Sequence, residues 1–137
     1  MTKENLQILI IDDDEINNFI AARLIGKIPP KAVVNTCLNG QIGLDFVKSK
    51  LQNQEEMPDI IFLDINMPVM NGWEFLEEFE KIRAQINKKI SINMLSSSVY
   101  NDDINKAETF HIVNKFISKP LTVNKIQDLY NTLDITV

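Results

Sequence analysis

The chain has 137 residues, 45% of them hydrophobic and 24% charged, with 14 Lys and Arg against 19 Asp and Glu for a formal net charge of -5. This is enough chain to bury one sizeable core, and it is too apolar for a disordered segment. The acidic balance argues against a nucleic-acid surface, which needs clustered Lys and Arg, but is compatible with a small acidic metal site.

A single cysteine, Cys37, cannot form an internal disulfide. That points to a reducing compartment, and with no cationic neighbour in sequence to activate it Cys37 reads as a buried structural residue. The start, Met1 to Asn5, leads into an apolar run too short for a signal peptide. No apolar stretch approaches the length of a membrane span, so the expected location is the cytoplasm.

Taken in chain order, residues 8–11 form a continuous apolar run, as in a parallel strand covered on both faces. It ends in Asp12-Asp13-Asp14. Ile16, Phe19, Ile20 and Leu24 follow at i, i+3, i+4 and i+8, predicting a helix with that stripe turned to the core. Ile28-Pro29-Pro30-Lys31 reads as a loop, 32–34 as a second strand and 41–51 as a less regular helix. After a loop at 52–58, the run 60–63 is again continuously apolar and ends in Asp64. Phe75, Leu76, Phe79, Ile82 and Ile86 predict the third helix.

The fourth strand, 90–95, carries Asn93 where an apolar residue is expected; its amide either finds a partner or marks an exposed strand edge. Ser96-Ser97-Ser98 follows, then a short polar helix at 101–110. A fifth strand at 116–117 ends in Ser118-Lys119-Pro120. Thr122 is placed to cap a last helix bearing Val123, Ile126, Leu129, Tyr130 and Leu133. Five alternations of strand and helix imply right-handed βαβ units and a doubly wound α/β fold in three layers. The expected organisation is one domain over 1–137, with a core of about 6–133 and no output domain.

The chemistry-bearing residues follow the strands. In a parallel sheet all strands finish at one edge, and ligand sites of open α/β sheets lie outside those carboxyl ends. Carboxylates (Asp12, Asp13, Asp64), a hydroxyl (Ser96) and an ammonium (Lys119) are thereby delivered to one crevice. Each has a plainer reading alone. An Asp run after a strand often only caps a helix, and a lysine before proline is often a solvated loop residue. Taken together, at the right strand ends, they point to a site. His111 stands alone and reads as a surface residue, Trp73 as partly packed.

In this arrangement the chain resembles the response-regulator receiver family of two-component signalling, CheY-like proteins. The residues that carry the resemblance are Ile10-Ile11-Asp12-Asp13, Phe62-Leu63-Asp64-Ile65-Asn66-Met67-Pro68, Asn71-Gly72, Ser96 and Lys119-Pro120, spread over positions 6–133. It implies a five-stranded parallel sheet in the order 2-1-3-4-5 flanked by five helices. It also implies that Asp64 accepts a phosphoryl group from a sensor histidine kinase or phosphotransfer protein, in a Mg²⁺-dependent reaction with Mn²⁺ as the alternative ion.

By the same resemblance, Asp13, Asp64 and the backbone carbonyl of Asn66 ligate the metal, with Asp12 acting mainly through water. Lys119 neutralises charge on the transferring group and Ser96 donates to a phosphoryl oxygen. Ser96 and Phe116 form the switch, altering the face of the fourth helix, fifth strand and fifth helix toward a downstream protein or a phosphorylation-dependent dimer. The register of the Asp run is read with Asp12-Asp13 as the family pair and Asp14 as a helix cap. Asn66 and Ser98 lie where family members tune the lifetime of the acyl phosphate.

The receiver acts on its own Asp and is not expected to be an enzyme in the turnover sense. One alternative is a degenerate receiver acting only as a binding module, against which the full residue set argues. The other is a haloacid-dehalogenase-like phosphatase, which would carry an Asp where Asn66 stands.

Overall fold

The computed structural model describes residues 5–97 and 101–133. Strands β1 (Leu6–Ile11), β2 (Ala32–Cys37), β3 (Ile60–Asp64), β4 (Ser91–Ser96) and β5 (Val113–Ser118) alternate with helices α1 (Glu15–Gly26), α2 (Gly40–Ser49), α3 (Gly72–Ile82), α4 (Asn101–Glu108) and α5 (Val123–Thr132). All pairings are parallel, in the order β2-β1-β3-β4-β5.

The continuous apolar runs have a simple cause. Successive side chains of a strand point to opposite faces. Leu9, Ile11, Ile61 and Leu63 enter one core, with Phe75 and Phe79 of α3 and Val47 of α2. Ile8, Ile10, Ile60 and Phe62 enter the other, with Ile25 of α1 and Ile126 and Leu129 of α5. The central strands β3 and β4 are buried throughout, whereas the edge strands β2 and β5 are partly exposed.

Side chains start the helices. Asp14 accepts from the N–H groups of Ile16 and Asn17, Asn39 from Ile42, and Thr122 from Lys125. Asn71 and Glu74 form a reciprocal capping box on α3. Each cap satisfies donors that the first helical turn leaves unpaired.

Helix α1 packs differently from the expected stripe. Asn18, Ala21 and Ile25 are its buried residues, while Ile16, Phe19 and Ile20 are 71%, 63% and 49% exposed. The helix carries apolar side chains on two faces, and the face with Ala21 and Ile25, with Leu24 beside it, packs into the core shared with α5. Asn93 is fully buried and finds partners. Its amide donates to Ser91 Oγ at 3.1 Å and its Oδ1 accepts from Asn114 at 3.1 Å. Asn114 is the extra residue of a bulge, since Ile92 pairs with Val113 but Asn93 with Lys115.

Gly72 lets α3 begin against the end of β3. Its N–H donates to Ile65 O at 2.8 Å, and a Cβ there would lie 2.5 Å from Asp64 O. The obstacle is backbone, which cannot swing aside. Gly72→Ala is therefore expected to lower unfolding stability by about 1–3 kcal/mol in urea titrations, whereas Gly26→Ala, which meets nothing within 4 Å, is expected to be neutral or stabilising.

Candidate functional site at the carboxyl edge of the sheet

Parallel registration brings the acidic groups together. Ile11, the last residue of β1, pairs with Leu63 of β3, so Asp12 and Asp64 leave neighbouring central strands at the same level. Asp12 is 2% and Asp64 6% exposed; Asp13 is exposed. One carboxylate oxygen from each of Asp12, Asp13 and Asp64 lies within 4.8 Å of the others. From the end of β5, Lys119 Nζ reaches Asp12 Oδ2 at 2.8 Å and Asp64 Oδ1 at 3.2 Å. Ser96 is buried at the end of β4, and its carbonyl accepts from the Lys119 N–H at 2.7 Å.

Backbone groups orient the acids. Asp12 Oδ1 accepts from the Asp14 N–H at 3.0 Å, and Asp64 Oδ1 accepts from the Ile65 N–H at 3.0 Å. Asn18, buried on α1, donates its amide to Asp12 O at 2.9 Å. Sequence reading gave Asn18 no role, because a polar residue six positions after Asp12 looks like any helix-surface Asn.

Burial pushes the Asp64 carboxyl up from 3.8 to about 6, aided by the charges of Asp12 and Asp13 and opposed by Lys119. For Lys119, burial alone would lower the ammonium's pKa. The hydrogen bond to Asp12 and the charges of Asp64 and Asp12 outweigh it, so the net shift is upward and the group stays cationic.

The donor set fits a hard divalent cation. Three converging carboxylates repel one another, all-oxygen donors suit Mg²⁺, and one buried ammonium cannot balance three acids. Asp12, Asp13 and Asp64 are thus the residues that could hold such an ion.

The sequence matches the response regulator receiver domain over residues 8–131. The chain belongs to this family. The structure is similar to a two component response regulator from Cytophaga hutchinsonii, with a TM-score of 0.86 and 32% identity, covering 98% of this chain and 100% of that one. In sequence it is 39% identical over 79 residues to a protein-glutamate methylesterase/protein-glutamine glutaminase of Desulfotalea psychrophila, covering 58% of this chain and 20% of that protein. It is also 29% identical over 128 residues to hybrid signal transduction histidine kinase G of Dictyostelium discoideum, covering 93% of this chain and 4% of that protein. The chain spans about a fifth of the length of the first curated relatives it matches. It is a CheY-like receiver of two-component signalling.

The remaining residues singled out from sequence fall at different distances from this centre. Asn66 is exposed in the loop directly after β3. Phe116 of β5 is partly buried, packs on the core beside α3 and pairs in register with Met94. Trp73 is buried, stacked on Phe110 with ring centroids 6.0 Å apart and with Lys106 Nζ 5.0 Å over its ring. His111 is exposed and Cys37 buried. Ser98 lies outside the described residues. No helix among the described residues is long and apolar enough to cross a membrane.

The raised Asp64 pKa sets a pH dependence. Between 3.8 and about 6 the folded chain holds a proton that the unfolded chain has released, so this group's contribution to stability falls as pH rises through that window. In chelator at pH 7, Asp64→Asn is expected to unfold about 1–3 kcal/mol later than wild type, with the difference vanishing near pH 4. Denaturant titrations at the two pH values check this, and Mg²⁺ is expected to narrow the gap at pH 7.

Proposed function

We propose that Asp64 is a phosphoacceptor, taking a phosphoryl group from a phosphohistidine of a histidine kinase or phosphotransfer protein, and that the product switches a protein-interaction face. The observation that carries this reading is the buried Asp64 carboxylate, held 3.2 Å from the Lys119 ammonium and beside Asp12 and Asp13.

In the transfer, a carboxylate oxygen of ionised Asp64 attacks phosphorus. The new O–P bond forms as the P–N bond breaks, and its electron pair returns to the imidazole nitrogen. Lys119 offsets charge on the phosphoryl oxygens and the Ser96 hydroxyl donates to one of them. A Mg²⁺ or Mn²⁺ ion held by Asp13, Asp64 and the Asn66 carbonyl, with Asp12 beside them, would supply charge neutralisation for the incoming group.

Phosphorylation adds a charge of about -1.5 to -2 at the sheet edge. Ser96 moves toward it and Phe116 repacks, altering the face formed by α4, β5 and α5, which a downstream protein or a second phosphorylated copy recognises. Phe116 has no hydroxyl, so its altered position is held by packing alone. The reading places the protein in the cytoplasm.

The exposed apolar residues favour a protein donor. Among the described residues the large ones are Ile16, Phe19, Ile20, Val33, Leu38, Ile42 and Val69. All except Val33 lie on α1 or on the segments that follow β2 and β3, at the edge that holds the acids. Ile16 and Leu38 line one groove with Asp13, Asp14 and Glu15. An apolar patch beside a reactive group fits a partner that must seat its phosphohistidine over Asp64.

A turnover phosphatase is disfavoured because Asn66 cannot serve as the general acid of that chemistry. A binding module without phosphorylation leaves the assembled acids and Lys119 without a use.

Intact mass after incubation with acetyl phosphate and Mg²⁺ tests the reading. One base-labile phosphate adduct is expected on wild type and none on Asp64→Asn; a wild type without adduct refutes the proposal. Phe19→Ser is expected to leave labelling by acetyl phosphate unchanged, while slowing transfer about tenfold from any phosphorylated protein donor that labels wild type. Gel-based transfer kinetics give that comparison.

A further inference from the structure

Lys125 stands in the first turn of α5, where the positive end of the helix dipole disfavours a cation. Its ammonium is nonetheless bound in place. Nζ donates to Ser118 O at 2.6 Å, to Pro120 O at 3.0 Å and to Ser118 Oγ at 3.3 Å. A lysine ammonium has three donors, and the loop takes all three. Two of the acceptors are the carbonyls of the residues immediately before and after Lys119.

Lys119 itself is tied from the other side, its N–H donating to Ser96 O at 2.7 Å. Its side chain then spans to Asp12 and Asp64 at 2.8 and 3.2 Å. The backbone from which the site ammonium projects is thus clamped between the end of β4 and the first turn of α5. Charge-assisted bonds to neutral carbonyls are stronger than ordinary ones, and here they hold the segment where β5 ends and the chain leaves the sheet. A residue that breaks a local rule while satisfying three acceptors around the site lysine has a compensating role.

We infer that Lys125 is a positioning residue: by holding the Ser118 and Pro120 carbonyls it aims the Lys119 ammonium at Asp64, and so sets the rate at which Asp64 is phosphorylated. The rate part of this inference rests on the phosphoacceptor reading above; the aiming part stands on the hydrogen bonds alone. The three acceptors of the Lys125 ammonium all belong to the loop around Lys119, none of them to the acids. Removing it leaves Lys119 present but free to swing away, and a supporting partner of this kind is worth about tenfold.

The test uses the full chain and Lys125→Met, which keeps the apolar stem and removes the donors. With acetyl phosphate and Mg²⁺, Lys125→Met is expected to take up phosphate about tenfold more slowly than wild type. In a Lys119→Met background, with no ammonium left to aim, the same change is expected to have no further effect. Amide hydrogen exchange supplies a readout separate from phosphorylation: the Lys119 amide is expected to exchange about tenfold faster in Lys125→Met, with the amides of β1 and β3 unchanged. Equal rates for wild type and Lys125→Met, or the same fold loss in both backgrounds, overturn the inference, the latter by showing general damage or a loss of charge that acts without Lys119. If wild type takes up no phosphate, the phosphoacceptor reading and the rate claim fall together. Hydrogen exchange then decides the aiming role, and an unchanged Lys119 amide refutes it.

Discussion

The structure is organised around one electrostatic problem, the gathering of carboxylates from different strands where the sheet ends. Asp12 and Asp64 are buried side by side, Asp13 is close, and a single ammonium, Lys119, bridges the first two. Like charges in a poorly solvated place repel strongly. The fold tolerates this because each of the two buried acids is also held by the backbone, Asp12 by the Asp14 N–H and Asp64 by the Ile65 N–H. In the proposed transfer the same acids would hold a divalent cation, whose positive charge would offset that of the incoming phosphoryl group.

Several features that look separate follow from keeping this arrangement in place. The apolar run 60–63 of β3 fixes the height of Asp64, and Gly72 lets α3 close over the strand end without pushing on the Asp64 carbonyl. On the same face of the sheet, Gly40 N–H donates to Met70 O at 2.9 Å, which joins the start of α2 to the loop that follows Asp64. The outer surface of α1 is under no such constraint. Its Asn18, Ala21 and Ile25 are buried, while Ile16, Phe19 and Ile20 remain exposed.

Much of this was legible in the sequence, for definite reasons. Residues 8–11 and 60–63 are apolar at every position because each strand is covered on both faces, and the acids directly after them mark the edge. Asp14 and Thr122 were readable as caps because their side chains act locally. The ends of the edge strands were not: β5 starts at Val113 and β2 runs to Cys37, through Asn114, Lys115, Asn35 and Thr36, whose polar character matches a partly solvated edge. The facing of α1 was misread because periodicity finds an apolar stripe but cannot choose between two. Asn18 and Lys125 were invisible since their acceptors, the carbonyls of Asp12, Ser118 and Pro120, belong to segments whose placement only the fold reveals.

The buried amide of Asn93 has a consequence at the far end of its neighbour. Asn93 Oδ1 accepts from Asn114, the bulged residue of β5. A slip of β5 by one position would set a different side chain against that amide and leave its oxygen without a donor, a costly state in a dry core. The same slip would present Ser118 or Pro120 to the acids in place of Lys119. An amide pair near the start of the strand thus serves as an index mark, counting residues along β5 so that the cation arrives in phase at the other end.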